Sequence, residues 1–204
     1  MGTVVVTPDR VVEAANALAR GMLDEPAGRW LVPDEQEFLV TFRQTYAHLI
    51  RLALEEGRVD GWGDPLAGVA VWLRRPALAG AVSPRTPGAT QRPTGFPAHA
   101  LVRVQRYAAI TRQLRERVRP DEHAYLDSIA VLPAHRGHGI ASRLLEAGHA
   151  WADGLRLPCA LETATARNVA FYRRRGYEVR ATAPLPDCDL RISALRRPVV
   201  RSLG

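Results

Sequence analysis

The chain has 204 residues, a net charge of +7 and 47% hydrophobic residues, and all 28 of its Lys or Arg positions are arginine. This length and apolar content predict one domain over residues 1–204 with a sizeable core. There is no run of about 18 apolar residues, which a membrane span needs, and the start MGTVVVTPDR lacks the apolar core of a signal peptide, so we expect a cytoplasmic protein without a membrane partner. The arginines are scattered and no strand is rich in aromatic residues, which argues against a nucleic-acid partner.

The first half of the chain predicts helices followed by a hairpin. Thr3 to Val6 is typical of a strand, and the apolar residues from Val11 to Ala19 recur at helical spacing. An irregular segment is predicted from Gly21 to Pro33, and a second helix from Asp34 to the glycine at 57. Residues 58–62 and 67–73 predict two strands joined by a turn at Gly63-Asp64-Pro65.

The second half predicts alternating strands and helices. Residues 76–97 are rich in proline, glycine, serine and threonine, and predict a long loop that is either disordered or borders a pocket. A third helix is predicted from Ala98 to Val118. From Ala124 onward the order is strand, helix, strand, helix and two final strands near 177–183 and 189–195, which predicts an α/β architecture.

The most informative segment is a strand that leads through a glycine turn into a helix. On the strand Tyr125 to Leu132, alternation predicts that Tyr125, Asp127, Ile129 and Val131 share one face. The turn RGHGIA at 136–141 places small residues where backbone must approach a ligand closely. Free N–H groups and a partial positive charge at the start of the following helix favour binding of a phosphate there.

This turn resembles the acetyl-CoA signature R-x-x-G-x-A of the GCN5-related N-acetyltransferase (GNAT) family. The resemblance implies an α/β fold with a central mixed, mostly antiparallel sheet of about seven strands flanked by helices. It implies acetyl-CoA as co-substrate, with its diphosphate on the backbone after Arg136, whose own side chain contributes less. The phosphate-binding residues would be Gly137, His138, Gly139, Ile140, Ala141 and Ser142. The backbone of Ile129, Ala130 and Val131 would bind the pantetheine arm and the thioester oxygen.

A second motif of the same family follows at the next strand and helix. Asn168 and Tyr172 are four residues apart and so share a helix face, and Gly176 ends the helix. In the family's pattern Asn168 would bond the pantetheine, and Tyr172 would lie beside the sulfur as the general acid. Direct attack by the amine is implied, so Cys159 is not expected to be a nucleophile.

The general base is left open between two carboxylates. Asp127 occupies a strand position at which family members often carry a carboxylate or histidine, and Glu162 lies on the neighbouring strand. Either could accept a proton, anchor a cationic acceptor or pair with an arginine. No cluster of His, Cys and carboxylates has the spacing of a zinc site, so no metal is expected.

The remaining similarity is to the puromycin N-acetyltransferase branch of the family, through VAVWLRRP at 69–76 and LETATARNVAFYRRRGY at 161–177. It implies a small-molecule amine as acceptor, an aminonucleoside or another cationic antibiotic, a role in antibiotic resistance, and frequent homodimers. Tyr125, Asp127 and Glu25 depart from the branch and make the acceptor region more acidic. Early aromatic residues are candidates for either core or acceptor floor: Trp30, Phe38, Phe42 and Tyr46.

Two alternative functions stay open from the sequence. One keeps the chemistry but takes a protein N-terminus or a lysine as acceptor. The other is a non-catalytic module that binds acetyl-CoA or nucleic acid, against which the presence of Tyr172 argues.

Overall fold

A computed structural model of the chain describes residues 2–76, 95–118 and 121–199. Its centre is a seven-stranded sheet in the order β1-β2-β3-β4-β5-β7-β6. The strands are β1 (Thr3–Val5), β2 (Gly57–Trp62), β3 (Gly68–Arg75), β4 (His123–Val131), β5 (Cys159–Thr163), β6 (Glu178–Pro184) and β7 (Arg191–Arg197). Every neighbouring pair is antiparallel except β4 and β5, which are parallel. The expected mixed, mostly antiparallel seven-stranded sheet is therefore confirmed.

Six α-helices are present in the described residues. They are α1 (Val11–Gly21), α2 (Pro26–Leu31), α3 (Glu35–Glu56), α4 (Leu101–Val118), α5 (Ile140–Gly154) and α6 (Ala166–Arg173). The buried residues of α1, α3 and α4 pack on one face of the sheet, which we call the front face. Those of α5 and α6 pack on the other, the back face.

Local signals explain where two of these helices begin. The Asp34 carboxylate caps α3 by accepting a 2.8 Å hydrogen bond from the Glu37 backbone N–H. The Thr165 hydroxyl caps α6 by accepting a 3.1 Å bond from the Asn168 backbone N–H. The prediction of an irregular segment from Gly21 to Pro33 is wrong because Pro26 starts the six-residue helix α2, which is too short to show periodicity.

The β3–β4 ladder contains a bulge, so the residues of β4 beyond it face the side of the sheet opposite to that predicted from strict alternation. Val71 pairs with Ser128 and Trp72 pairs with Leu126, so Asp127 has no residue opposite it. Tyr125 belongs to the front-face core, whereas Val131 and Ile129 pack in the back-face core. The prediction that these residues share one face with Asp127 is therefore wrong: the extra residue shifts the alternation by one.

The β4–β5 ladder is short, and this positions the site. It pairs Ala124 with Cys159 and Tyr125 with Ala160, and the described strands continue beyond these pairs without further pairing between them. The two strands part at the level of the bulge and open a gap in the sheet. None of the helices in the described part of the chain is long and apolar enough to cross a bilayer.

Candidate active site

A cavity of about 390 Å³ passes through the sheet where β4 and β5 part. Its lining includes residues of the front-face core, such as Phe38 and Tyr46, and residues of the back-face core, such as Leu161 and Tyr172. A volume of this size is typical of small-molecule sites. The gap therefore gives groups from opposite faces of the sheet access to one space.

The front side of the cavity is largely aromatic. Phe38 and Phe42 are stacked with ring centroids 4.2 Å apart, and Phe96 meets Phe42 edge-on at 5.7 Å. Tyr46 and Tyr107 complete this wall. Three of the four aromatic residues proposed from the sequence as acceptor floor therefore line the cavity, whereas Trp30 packs into the neighbouring core. Residues 77–94 of the expected loop lie outside the described residues, and Phe96 follows that segment.

Glu162 is held in a buried network at the gap. Its side chain is 6% exposed and pairs with Arg115 at 3.2 Å between Nε and Oε2. The Tyr125 hydroxyl donates to the same carboxylate and accepts a 2.8 Å bond from Arg115 Nη2. The Arg115 guanidinium also lies over the Tyr125 ring, 5.0 Å from its centroid. Both oxygens of Glu162 thus have protein partners.

Asp127 lies at the bulge with a different environment. Its Oδ1 accepts a 3.0 Å hydrogen bond from the Ser128 hydroxyl. Burial raises the pKa of Asp127, and the nearby charges of Arg115 and Arg75 oppose that rise. Asp127 therefore holds a proton more readily than an exposed aspartate, which is the property a proton acceptor for an ammonium group needs.

Asn168 and Tyr172 reach the cavity from the back face. They lie one turn apart on α6, and both line the cavity. Tyr172 is 6% exposed, and burial raises the pKa of its hydroxyl, with the charge of Glu25 adding to the effect. The hydroxyl therefore keeps its proton through the neutral range and is available as a donor.

The edge of β4 that faces the gap offers free backbone groups. The Leu132 N–H bonds the Ala67 carbonyl on the β3 side at 2.9 Å, so alternation directs Ala130 toward β3 as well. Ile129 and Val131 then direct their N–H and C=O groups toward the gap. The Arg136 Nε donates a 3.2 Å hydrogen bond to the Val131 carbonyl.

The glycine turn leads directly from this strand to α5. Gly137 and Gly139 have φ of 85° and 76°, in the left-handed region that favours glycine. Gly139 precedes α5 and has no side chain that could cap the first amides of that helix, those of Ile140, Ala141 and Ser142. Uncapped amides at a helix N-terminus can bind an anion.

Polar side chains around the turn contact the protein itself. Besides the Val131 carbonyl, Arg136 bonds Asp24 at 2.9 Å and the Gly21 carbonyl at 3.0 Å. The Ser142 hydroxyl accepts a hydrogen bond from Arg175, whose guanidinium lies 3.7 Å from the Phe171 ring centroid. These contacts join the turn to α1 and α6.

Two other expectations concern metals and cysteine. Among the described residues, no three His, Cys, Asp or Glu side chains are grouped so that they could hold a metal ion. Cys159 is fully buried, and burial raises the pKa of its thiol to about 11, so it is neutral and inaccessible. It lies in the back-face core rather than on the cavity.

Sequence reasoning missed several cavity residues. Arg75, Arg115, Tyr107 and Ser128 line the cavity with the predicted carboxylates. Arg115 was hidden because its helix is rich in arginine, which is typical of a solvated face, and its partner Glu162 is 47 residues away. Ser128 was assigned away from Asp127 by the alternation that the bulge breaks.

Comparison with known proteins agrees with this geometry. Residues 100–179 match the family model of the acetyltransferase (GNAT) domain. The whole chain aligns with 98% of a histone acetyltransferase HPA2 and related acetyltransferase from Corynebacterium glutamicum, at 19% identity and a TM-score of 0.68. Ninety-seven per cent of it aligns with 98% of arylalkylamine N-acetyltransferase 2 from Aedes aegypti, at 11% identity and a TM-score of 0.68. The whole chain also aligns with 94% of Naa20 from Chaetomium thermophilum, at 18% identity and a TM-score of 0.52.

The matched domain and the shared fold support an acyl-transferring N-acetyltransferase. The fold is the one found in GNAT acetyltransferases, which use acetyl-CoA. Similarity at these levels of identity extends to the fold and leaves the acceptor class open, since the similar structures include a histone acetyltransferase and an arylalkylamine N-acetyltransferase.

Proposed function

We propose that the chain is a single-domain, acetyl-CoA-dependent N-acetyltransferase that acetylates the primary amine of a small molecule by direct attack. The observation that carries the proposal is the cavity through the sheet at the β4–β5 gap. It brings a protonated tyrosine from the back face and carboxylates from the front face into one space. An acetyl donor bound along the back of β4 and an amine entering from the front would meet there.

The residues around the gap fit coenzyme A. The left-handed backbone at Gly137 and Gly139 and the uncapped N-terminus of α5 are suited to its diphosphate. This assigns phosphate contacts to residues 137–142, including His138, with Arg136 fixing the turn rather than gripping the ligand. The N–H and C=O of Ile129 and the N–H of Val131 would pair with the pantetheine amides, and Asn168 would bond the same arm from α6.

When bound, acetyl-CoA supplies a thioester whose carbonyl carbon forms the new C–N bond as the C–S bond breaks. The backbone N–H groups on the gap edge of β4 would bond the thioester oxygen as it gains negative charge. Tyr172 would donate its hydroxyl proton to the departing sulfur. As the amide forms, the nitrogen would release its second proton to water in the cavity, and water would return a proton to the Tyr172 phenolate.

Asp127 is the better supported of the two candidate bases. Burial raises its pKa, and its Oδ1 is bonded to the neutral Ser128 hydroxyl rather than to an arginine. Glu162, by contrast, is occupied by Arg115 and the Tyr125 hydroxyl. We assign Asp127 to removal of the ammonium proton, and Glu162 to holding the gap open through its network.

A turnover assay with a panel of amines tests the proposal. Coenzyme A release is followed with aminonucleosides, including puromycin, with aryl-alkyl amines, polyamines and aminoglycosides, and with peptides bearing free N-termini or lysines. The resemblance to the puromycin N-acetyltransferase branch motivates the first group. Turnover confined to small molecules supports the proposal, whereas turnover of peptides alone would replace it with a protein acetyltransferase.

The general acid is tested with Tyr172→Phe. Loss of the hydroxyl should lower kcat by about 10- to 1000-fold while the Kd for coenzyme A changes little. Tyr177→Phe is a matched control, because its hydroxyl contacts His149 at 3.0 Å in the neighbouring core and does not line the cavity. Equal kcat in Tyr172→Phe and the native protein would remove the role assigned to this hydroxyl.

A further inference from the structure

We propose that Glu25 holds the ammonium group of the acceptor, and that the cavity thereby selects amines with one positive charge on a flat apolar body. The inference deepens the proposed function and rests on it for the direction from which the acceptor enters. Glu25 is a specificity-determining residue at a position where this chain departs from the branch that it resembles.

Glu25 is a cavity carboxylate that pairs with no cation among the described residues. It lines the cavity from the turn before α2, where its side chain does not cap the helix. Burial raises the pKa of Glu25, and a backbone contact at Ala27 partly opposes the rise. Within the described chain it forms no ion pair with an arginine or histidine. A partly buried carboxylate in this state gains more from a bound cation than an exposed one does.

The other charges that line the cavity have protein partners or neighbours. Glu162 pairs with Arg115, and Asp127 takes the Ser128 hydroxyl and lies in the field of Arg115 and Arg75. His48 lines the cavity as well. Among the three carboxylates that line the cavity, Glu25 is therefore the one for which the described protein supplies no counterion.

Glu25 lines the same cavity as Tyr172, the proposed proton donor. Its charge raises the pKa of the Tyr172 hydroxyl and contributes to the raised pKa of Tyr46 and of Tyr107, after burial. These three hydroxyls belong to elements on both faces of the sheet. An ammonium held by Glu25 would thus lie within the same space as the proton donor of the proposed reaction.

The walls around this carboxylate favour a flat apolar body. The stacked pair Phe38 and Phe42, the edge-on Phe96, and Leu49 and Leu52 line the cavity. Aromatic faces attract a cation and stack with flat rings. A second or third ammonium group would be desolvated against these walls or would approach Arg75 and Arg115, and both are unfavourable. Polyamines and aminoglycosides should therefore bind poorly.

Equilibrium binding tests the inference without relying on turnover. Calorimetry in the presence of saturating coenzyme A would compare 2-phenylethylamine with its uncharged analogue 2-phenylethanol and with spermidine. The proteins are the native chain, Glu25→Gln and the matched control Glu35→Gln, which changes an exposed carboxylate outside the cavity. We expect Glu25→Gln to weaken 2-phenylethylamine by about 10- to 100-fold and 2-phenylethanol by less than about twofold, with Glu35→Gln unchanged.

Three results would overturn the inference. The first is that the native protein binds none of the probes, and the second is that Glu25→Gln and Glu35→Gln bind 2-phenylethylamine with equal affinity. The third is tighter binding of spermidine than of 2-phenylethylamine by the native protein. Failure of the proposed function gives a different result. If 2-phenylethylamine binds in a Glu25-dependent way but no amine of the turnover panel is acetylated, the recognition role stands and the acetyltransferase proposal falls. If polyamines are the amines that are acetylated, the proposed N-acetyltransferase function stands and the proposed selectivity for singly charged amines is wrong.

Discussion

The buried network around Glu162 should make Arg115 far more important for stability than an exposed arginine of the same chain. Arg115→Met removes the cation that bonds Glu162 and the Tyr125 hydroxyl. The carboxylate that remains is 6% exposed, so water replaces the lost partner poorly. The variant should therefore lower the free energy of unfolding substantially.

The size of the effect follows from the burial of the two partners. Breaking a buried ion pair by removing one partner costs about 3–5 kcal/mol. The Arg115 side chain is 31% exposed and the Tyr125 hydroxyl stays on Glu162, which favours the lower end, about 3 kcal/mol. For a protein of this length, that corresponds to a fall in Tm of about 6–12 °C.

Arg74→Met provides the matched control. Arg74 pairs with Glu122 at the surface, where the two side chains are 53% and 41% exposed. An exposed pair contributes at most about 1 kcal/mol. Urea denaturation followed by circular dichroism should give a much larger loss for Arg115→Met than for Arg74→Met. Equal losses would refute the argument that burial makes the Glu162 network important for the free energy of unfolding.

A double variant separates a lost ion pair from general disruption. Arg115→Met with Glu162→Met replaces both charges of the pair by apolar side chains, so neither partner is left as an unpaired buried charge. It should be more stable than Arg115→Met alone. A double variant that is less stable than the single one would show that packing, rather than the orphaned carboxylate, sets the cost.

Three further predictions concern pH and packing. In the native protein kcat/KM should decline toward acid at a pH above the ordinary aspartate range, because burial raises the pKa of Asp127. Asp127→Asn should lower kcat/KM and abolish this decline, whereas Glu162→Gln should keep it. Burial lowers the pKa of His149 to about 4, so between about pH 6.5 and 4 the unfolded chain takes up a proton that the folded chain does not. Over this range the free energy of unfolding of the native protein should fall by roughly 2 kcal/mol. Denaturation measured at several pH values should show a smaller fall for His149→Gln. In Gly148→Ala the new Cβ would lie 2.0 Å from Nε1 of the buried Trp72, and thermal denaturation should show a loss of about 1–3 kcal/mol.

Features that depend on neighbouring residues could be predicted from the sequence. The glycine turn, α5 and α6 were predicted from local signals: the small residues of RGHGIA at 136–141, and the spacing of Asn168 and Tyr172 before Gly176. The positive φ of Gly137 and Gly139 agrees with the predicted turn. The mostly antiparallel sheet was implied by the family resemblance, whereas the order of strands and helices alone predicted only an α/β architecture. Tyr172 and Asn168 reach the cavity as the i, i+4 spacing predicts, because one helical turn brings them to the same face.

Features that depend on distant partners could not be predicted. The bulge at Asp127 is defined by the register with β3, and strand alternation alone gives no sign of it. Arg115 and Glu162 meet across 47 residues of chain, so neither position indicates the other. The short helix α2, which follows Glu25, has only six residues and too few turns for its pattern to stand out.

Binding of coenzyme A is the most direct test of the account, because the proposed role of every site residue depends on it. Calorimetry should show one coenzyme A per native chain, and Gly139→Val should weaken binding at least about tenfold, because a β-branched residue at φ 76° disturbs the turn. Gly154→Ala is the control, at a glycine of ordinary φ in α5 with open space around its Cβ, and should bind normally. A native protein that takes up no coenzyme A, or a Gly139→Val variant that stays folded and binds with native affinity, would contradict the assignment of the turn.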